Sequence, residues 1–344
     1  MAQALYGPEG FFLAGDAGPA GHFRTSVHAS PLFGAAVLRL IRRIDDALGH
    51  PDPFDVVDVG AGRGELLTTL RSLLGAEPDQ PGAGPGGSRT TPARPTQRRV
   101  HSLRKRVRWV GVELAGRPAG LASAIGWRRE VPDGVLGLLL ATEWLDNVPL
   151  DLAELDDAGR VRRVVVDTAS GVESLAGLVD AAEAFWLARW WPGLHAAGDR
   201  AEIGWTRDLA WADAVSSVQR GCALAVDYGH LRTERPRWGT LTGFRGGRQI
   251  QPVPDGSCDI TAHVAIDSAA AGAGSAYEIR SQRDALRALG VDGRRPPLGL
   301  ASTDPAAYLR ALGAAGAAAE LIDPAGLGGH WWLLHSIGVS VSLA

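Results

Sequence analysis

Three glycines at alternating positions follow a short run of residues that favours a strand. The strand is predicted over 54–59, and Gly60, Gly62 and Gly64 come next with the spacing G-x-G-x-G. Because glycine has no side chain, the backbone can turn tightly there and approach a ligand closely. The helix predicted to follow would offer free N–H groups to a carboxylate or a phosphate. A purely structural turn stays an alternative.

The spacing of these glycines bears on which ligand the turn could bind. A dinucleotide-binding turn needs G-x-G-x-x-G, and the position of its third glycine is occupied here by Glu65. That carboxylate would repel a pyrophosphate, so a nucleotide-dependent oxidoreductase is the least supported function. The spacing instead suits the adenosyl and amino-acid portions of S-adenosylmethionine (SAM), which carries no phosphate.

Carboxylates end the next strands. Glu113 ends the strand predicted over 107–113, where it could accept both hydroxyls of a ribose; a solvated glutamate is the alternative. Glu143 and Asp146 follow the apolar strand predicted over 135–141. These two carboxylates could bind a cation through charge-assisted hydrogen bonds, or Asp146 could cap the next turn.

Composition indicates a globular protein. The chain has 344 residues, of which 45% are hydrophobic and 21% charged, as in an average domain. Its net charge of −3 gives no basic field for nucleic acid or anionic lipid. The longest apolar run is far shorter than the roughly 20 residues that span a bilayer. With no targeting segment in view, we expect a cytoplasmic protein without nucleic-acid or membrane partners.

Metal binding finds no support in the sequence. The nine histidines form no H-E-x-x-H motif, and the two cysteines, Cys222 and Cys258, cannot build a four-cysteine zinc site. We therefore expect no metal ion.

Strands and helices alternate along most of the chain. A helix is predicted over 30–50, with Ser30 as its N-cap and Pro31 in its first turn. A β-hairpin is predicted over 151–166 and a helical segment over 175–211. This alternation predicts an α/β fold with a mostly parallel, doubly wound sheet, whose ligands bind beyond the carboxyl ends of the strands.

Six stretches, in this order, resemble one known family. They are GHFRTS (21–26), SPLFG (30–34), VVDVGAGRGEL (56–66), ATEWLDNVPL (141–150), DYGH (227–230) and DITAHV (259–264). Together they resemble the MidA / NDUFAF-type family (DUF185) of class I SAM-dependent methyltransferases. The chain departs from the family pattern at Thr142, where members usually have Asn, and at 58–62, where DVGAG replaces the usual ELGPG.

The resemblance implies a Rossmann-like, seven-stranded, mostly parallel sheet with helical insertions, and SAM as the methyl donor. It implies that SAM is bound by Thr25, Ser26, Asp58, Gly60, Gly62, Gly64 and Glu113. It implies that Glu143, Asp146 and Asn147 are catalytic residues that face the methyl acceptor. It also implies that Tyr228 and His263 lie near the substrate.

Characterised members of that family methylate arginine side chains of proteins in support of respiratory complex I assembly. The resemblance thus implies a protein arginine methyltransferase with a protein substrate. A non-catalytic SAM-binding assembly factor and a methyltransferase acting on a small molecule are the alternatives, and a homodimer is compatible with the sequence.

We predict four regions along the chain. They are a helical, substrate-facing segment over 1–50, the first half of the SAM-binding domain over 51–150, an inserted hairpin and Trp-rich helical substrate region over 151–219, and the second half of the domain over 220–344. Residues 76–103 are rich in Pro, Gly, Ser, Thr and Arg and nearly free of large apolar groups, which predicts a disordered insert.

Overall fold

The computed structural model describes residues 1–14, 25–76 and 101–344. The strands in these ranges are β1 (Phe54–Val59), β2 (Val107–Val112), β3 (Ile125–Arg128), β4 (Val135–Thr142), β5 (Asp151–Leu155), β6 (Val161–Val166), β7 (Glu173–Leu178), β8 (Arg200–Ile203), β9 (Val218–Asp227), β10 (Gly229–His230), β11 (Thr242–Arg245), β12 (Arg248–Ile250), β13 (Asp259–Thr261), β14 (Val264–Ala265), β15 (Tyr277–Ser281) and β16 (Trp331–Ile337). The helices are α1 (Ala2–Tyr6), α2 (Phe11–Ala14), α3 (Ser26–Ala29), α4 (Pro31–Leu48), α5 (Glu65–Ala76), α6 (Leu103–Arg106), α7 (Ala181–Trp190), α8 (Trp205–Ser216), α9 (Ile266–Gly272), α10 (Gln282–Ala288), α11 (Gly299–Thr303) and α12 (Pro305–Leu321).

Seven strands form a central sheet in the order β15-β16-β9-β4-β1-β2-β3. The five strands from β9 to β3 run parallel, whereas β16 is antiparallel to both of its neighbours. This confirms the predicted α/β class with a seven-stranded, mostly parallel sheet. In β1, β2 and β4, the aligned residues Val59, Val112 and Ala141 lie at the carboxyl ends, so the segments that follow them meet at one edge of the sheet.

Apolar side chains cover both faces of this sheet, because successive residues of a strand point to opposite faces. On one face Phe54 and Val56 belong to a buried cluster with residues of α4 and α5. On the other face Val57 and Val59 belong to a cluster with residues of α8 and α9. Helices on both faces explain why the predicted strand over 135–141 is a continuous apolar run.

The helix predicted over 30–50 is confirmed as α4. The hydroxyl oxygen of Ser30 accepts a hydrogen bond from the N–H of Leu32 (3.2 Å), and Pro31 occupies the first turn. Gly49 ends the helix with a φ angle of 76°, a left-handed conformation that glycine adopts without strain.

The prediction of a helical segment over 175–211 is wrong. This segment holds the end of β7, then α7, β8 and the start of α8. Pro192 and Gly193 follow α7, and neither residue favours continuing a helix. β7, β6, β5 and β8 form a separate four-stranded sheet in that order, and the pairing of β5 with β6 confirms the predicted hairpin.

The predicted insert over 76–103 lies mostly outside the described residues. α5 ends at Ala76, and the description resumes at His101. The region boundaries at 50, 150 and 219 stay predictions. Of the helices described here, none combines the length and the apolar character needed to cross a membrane.

Candidate active site

A cavity of about 1370 Å³ opens at the carboxyl edge of the central sheet. Its walls include the glycine turn after β1, Glu113 after β2 and Glu143 after β4. Tyr6 and Phe12 from the N-terminal helices also line it. The volume exceeds the roughly 300–1,000 Å³ of a site for one small ligand, so there is room for a donor molecule and an acceptor group together.

The glycine turn requires glycine for reasons of both conformation and space. Gly60 and Gly64 have φ angles of 71° and 79°, which other residues rarely adopt. A Cβ atom on Gly60 would lie 2.7 Å from Cδ1 of Trp144, and one on Gly64 would lie 2.8 Å from Cδ1 of Leu121. Glycine at these positions therefore keeps the turn tight and its backbone close to the cavity.

Glu113 points to the glycine turn. Its Oε2 accepts a hydrogen bond from the N–H of Gly62 (3.0 Å), and its Oε1 accepts one from the N–H of Leu114 (2.7 Å). Burial raises the pKa of Glu113, although these backbone N–H groups oppose the rise. Oε1 also accepts a longer hydrogen bond from the N–H of Ala115 (3.4 Å). Oε2 therefore keeps a lone pair for one hydroxyl group, and a second hydroxyl group could bind Oε1 in place of the Ala115 contact.

Asp58 is a buried carboxyl on the same wall. Burial raises its pKa to about 8, and the charges of Glu65 and Glu113 add to the rise. Within the described ranges no cation opposes this effect. A bound cation would favour the charged form of Asp58, whereas a phosphate would be repelled.

Glu143 has an unusual backbone conformation at the end of β4. Its φ angle is 51°, a left-handed value that is rare outside glycine and is often found at functional sites. Its Oε1 accepts a hydrogen bond from the N–H of Ser26 (2.9 Å). Burial raises the pKa of Glu143 to about 8, with a further contribution from the charge of Asp146. No ion pair with this carboxyl is found in the part of the chain that the structure describes.

Thr25 and Ser26 lie at the start of α3. Thr25 lines the large cavity, and its hydroxyl oxygen is 2.7 Å from Nδ1 of His28. Nε2 of His28 in turn lies 3.5 Å from Oε1 of Glu65. Ser26 is buried and reaches the site through the backbone N–H that it donates to Glu143.

Asp146 lies behind the cavity wall, which differs from the prediction that it faces the methyl acceptor. Its Oδ2 accepts hydrogen bonds from the hydroxyl groups of Thr261 (2.7 Å) and Tyr228. Its Oδ1 accepts one from Nδ2 of Asn147 (2.9 Å). The short helical turn after β4 directs this side chain into the protein interior, so Asp146 can act on a ligand only through its neighbours.

Asn147, in contrast, lines the large cavity. Its Nδ2 is engaged by Asp146, which fixes the orientation of the amide. Its Oδ1 is buried, and no hydrogen-bond partner for it exists among the described residues. Because buried polar atoms are rarely left unpaired, this oxygen is a candidate acceptor for an N–H group of a ligand.

Tyr228 and His263, predicted to lie near the substrate, line a second cavity of about 550 Å³ and not the large one. Their ring centroids are 5.2 Å apart. The reason is topological, because Tyr228 follows β9, which is one strand farther from β1 than β4 is.

Arg207 on α8 is a structural residue of the site that no sequence signal marked. Its buried guanidinium donates to the carbonyl oxygens of Val148 (Nε, 3.0 Å) and Ala262 (Nη1, 2.9 Å), and also to that of Asp146. It thereby ties the turn after β4 to the segment before β14. Burial lowers its pKa, while the charge of Asp146 opposes the change.

The sheet order, the glycine turn and the carboxylate after β2 define a class I methyltransferase fold. The chain matches the model of a family described as "Putative S-adenosyl-L-methionine-dependent methyltransferase" over residues 97–283, more than half of its length. It belongs to this family of SAM-dependent methyltransferases, which confirms the family predicted from the six sequence stretches.

Two solved structures from Burkholderia thailandensis are similar to nearly the whole chain. One is a COG1565 superfamily member bound to S-adenosyl-homocysteine; it is 25% identical, has a TM-score of 0.73, and the match covers 99% of this chain and 87% of that one. The other is a native structure of a COG1565 superfamily protein, with 25% identity, a TM-score of 0.72 and the same coverage. A comparison with curated proteins finds no match.

The residues around the glycine turn fit SAM. SAM carries a positive sulfonium and an ammonium group and has no phosphate, and the turn is surrounded by the carboxyl groups of Asp58, Glu65 and Glu113. Glycine at positions 60 and 64 lets the backbone turn tightly against Trp144 and Leu121, which keeps the main chain of the turn at the cavity wall.

Proposed function

We propose that the protein transfers the methyl group of SAM to arginine side chains of another protein. Glu143 is the observation that carries this proposal. It is a carboxyl on the cavity wall whose burial raises its pKa, and the described residues supply no cation to it. A guanidinium beside it would form charge-assisted hydrogen bonds and restore the charged carboxylate.

The charge of the large cavity supports a cationic acceptor. Its described lining includes two arginines, Arg63 and Arg129, and seven acidic residues, which are Asp58, Glu65, Glu113, Glu130, Asp133, Glu143 and Asp213. Such a surface attracts the positive groups of SAM and of an arginine side chain, and it repels phosphates.

In this proposal each cofactor-binding residue contacts a different part of the SAM molecule. Glu113 accepts the ribose hydroxyls, Asp58 faces the ammonium group, and the backbone of Gly60, Gly62 and Gly64 approaches the amino-acid portion. Thr25 and Ser26 lie at the end of the site next to Glu143. The similar Burkholderia thailandensis protein was solved with S-adenosyl-homocysteine bound, which supports the same ligand here.

The reaction is a displacement at the methyl carbon. SAM supplies the methyl group; its carbon–sulfur bond breaks as the carbon–nitrogen bond forms, and one proton leaves the guanidinium nitrogen. Glu143, charged once the guanidinium lies beside it, accepts this proton. Asn147 accepts a second N–H and aligns the guanidinium, and Asp146 is a positioning residue that holds the Asn147 amide.

Incubation with methyl-labelled SAM and paired peptides tests the proposal. We expect label on peptides that contain arginine and none on matched peptides in which lysine replaces arginine, with mass spectrometry locating the methyl group. Label on lysine, or on small molecules of a cell extract alone, would assign a different acceptor. Binding of SAM without transfer to any acceptor would favour the non-catalytic assembly factor.

Stability should fall as pH rises, because Asp58 holds its proton to about pH 8 in the folded protein. An unfolded chain releases that proton near pH 4. Between these values the folded state binds more protons, so the free energy of unfolding decreases by about 1.4 kcal/mol per pH unit for one such group. Denaturant unfolding at pH 5 to 8 measures this slope.

The matched variants for this measurement are Asp58→Asn and Asp157→Asn, the second in an exposed hairpin turn. We expect a shallower slope for Asp58→Asn and an unchanged one for Asp157→Asn. Equal slopes in all three proteins would show that Asp58 is ionised in the folded protein at neutral pH.

A further inference from the structure

A hydroxyl, an imidazole and a carboxylate follow one another on the wall of the large cavity. Oγ1 of Thr25 lies 2.7 Å from Nδ1 of His28, and Nε2 of His28 lies 3.5 Å from Oε1 of Glu65. All three residues line the cavity. His28 takes no part in the methyl-transfer step described above, and its place on the wall indicates a role in ligand binding.

The Thr25–His28–Glu65 series begins at the glycine turn. Glu65 is the first residue of α5, and its Oε2 accepts a hydrogen bond from the N–H of Arg63 (2.9 Å). A Cβ atom on Gly62 would lie 3.4 Å from the same oxygen. Because only the ring of His28 separates Glu65 from Thr25, Thr25 borders the part of the cavity in which the proposed function places the amino-acid portion of SAM.

Glu65 fixes the direction of the hydrogen bonds in the series. Burial opposes its ionisation, but the hydrogen bond from His28 and those from backbone N–H groups lower its pKa. Its carboxylate is therefore charged at neutral pH and can only accept hydrogen bonds. Nε2 of His28 then carries its hydrogen toward Glu65, and Nδ1 of the neutral ring keeps a lone pair. The Thr25 hydroxyl consequently donates its hydrogen to Nδ1.

The oxygen of the Thr25 hydroxyl is thereby left as an acceptor. A hydroxyl group has one hydrogen and two lone pairs, and the hydrogen is engaged by His28. Thr25 is only 8% exposed, so it is largely shielded from bulk water. A ligand that donates an N–H completes its hydrogen bonding, whereas a ligand carboxylate would bring a second acceptor against the lone pairs.

The charge of the surrounding wall also favours a cationic donor. Among the described lining residues, the carboxyl groups of Asp58, Glu65 and Glu113 surround the glycine turn, which itself carries the guanidinium of Arg63. Three acidic groups against one basic group attract an ammonium and repel a carboxylate. An ammonium group has three hydrogens, so one can bond to Asp58, as in the proposed function, and another to Thr25.

We propose that His28, oriented by Glu65, is a positioning residue that holds the Thr25 hydroxyl as a hydrogen-bond acceptor for the ammonium group of SAM. His28 acts on the ligand through Thr25 and is not a catalytic residue. The inference rests on the SAM site of the proposed function, but it does not depend on which molecule accepts the methyl group.

Three ligands separate this role from general support of the fold. They are S-adenosyl-homocysteine, its analogue without the amino group and its analogue without the carboxyl group, each titrated calorimetrically at pH 8, where an imidazole is ordinarily neutral. We expect Thr25→Val to raise the Kd of the two ligands that keep the amino group by about tenfold or more, as for a lost hydrogen bond to a charged group. The third Kd should stay unchanged. A loss that is equal for all three ligands, or confined to those that keep the carboxyl group, would overturn the proposal.

Variants of His28 assign the effect to the series. His28→Phe keeps a ring but loses both nitrogens, so the Thr25 hydroxyl can rotate and its oxygen is no longer held toward the ligand. We expect a selective rise in Kd of about threefold to tenfold for the ligands that keep the amino group. Thr25→Ser keeps the hydroxyl and should retain nearly normal Kd values, and the exposed His195→Phe is the matched control. Normal binding of all three ligands by His28→Phe would overturn the proposal.

The double variant Thr25→Val/His28→Phe tests whether His28 acts through Thr25. We expect it to bind each ligand like Thr25→Val alone, because the second substitution removes a group whose effect has already been lost. Losses that simply add would show that His28 contacts the ligand or supports the fold independently, and would overturn the proposal.

The same variants separate this inference from the proposed function. Selective losses in Thr25→Val and His28→Phe, together with no methyl transfer to arginine peptides, would reject the arginine acceptor alone. Methyl transfer to arginine, together with equal losses for all three ligands, would reject the positioning role of His28 alone.

Discussion

Glu143→Gln is expected to lower kcat for methyl transfer to an arginine peptide by about 10²- to 10³-fold, the range seen when one preorganised electrostatic group is removed from an active site. Glutamine keeps the oxygen that accepts the N–H of Ser26, so the loop packing should survive. It lacks the negative charge that holds the guanidinium, and it cannot accept a proton. The loss should therefore fall on kcat, because charge and proton transfer matter most in the transition state.

Two measurements make this expectation specific. Calorimetry with S-adenosyl-homocysteine should give a similar Kd for Glu143→Gln and the unchanged protein, because that ligand has no sulfonium charge. The exposed Glu234→Gln is the matched control and should keep full kcat. If Glu143→Gln turned over normally, the acceptor would have to be oriented by another group and the arginine proposal would lose its main support.

The pH profile adds a further check on the same residue. Because burial raises the pKa of Glu143 to about 8, kcat/KM in the unchanged protein should increase as pH rises to that value. This increase should be absent in whatever activity Glu143→Gln retains.

Those parts of the fold whose signals lie close together in the sequence could be predicted from it. The strand over 54–59, the glycine turn and the capped helix α4 each have their signals within a few residues of one another. Parallel strands then bring their carboxyl ends to one edge, which is why the contact between Gly62 and Glu113 was predictable in outline although the two lie 51 residues apart.

The helical prediction over 175–211 failed for a physical reason. The segment is rich in alanine and tryptophan, which suit a helix face, but β7 and β8 gain their stability from pairing with β6 and β5. Such pairing is a tertiary effect, and it overrides local propensity in a way that no window of sequence reveals.

The placement of Asp146 depends on contacts with residues that lie still farther away along the chain. Its partners Tyr228 and Thr261 lie 82 and 115 residues away along the chain. A motif identifies the residue types after β4 but not which side chain turns inward. The structure leaves Asn147 at the wall and places Asp146 behind it, so direct and indirect roles could be separated only in three dimensions.

Glu113→Ala is expected to weaken the binding of S-adenosyl-homocysteine by about 100-fold or more. A carboxylate that accepts two ribose hydroxyls makes two charge-assisted hydrogen bonds, each worth about 1.5–3 kcal/mol. The substitution would also leave the N–H of Gly62 without the acceptor it has in the structure. Calorimetric titration with S-adenosyl-homocysteine measures the change, and thermal unfolding without ligand shows whether the variant is folded.

Glu113→Gln refines this test because it removes charge at nearly constant shape. Glutamine has one acceptor oxygen with two lone pairs where the carboxylate has two such oxygens, so it can serve the N–H of Gly62 and one ribose hydroxyl but not the second hydroxyl. We expect an intermediate loss, on the order of tenfold, with Glu234→Gln unchanged. If both substitutions at position 113 left Kd unaltered, the ribose would have to lie elsewhere in the cavity. The glycine turn would then have a structural role only and would not contact SAM. SAM and the methyl acceptor would have to occupy the opposite parts of the cavity.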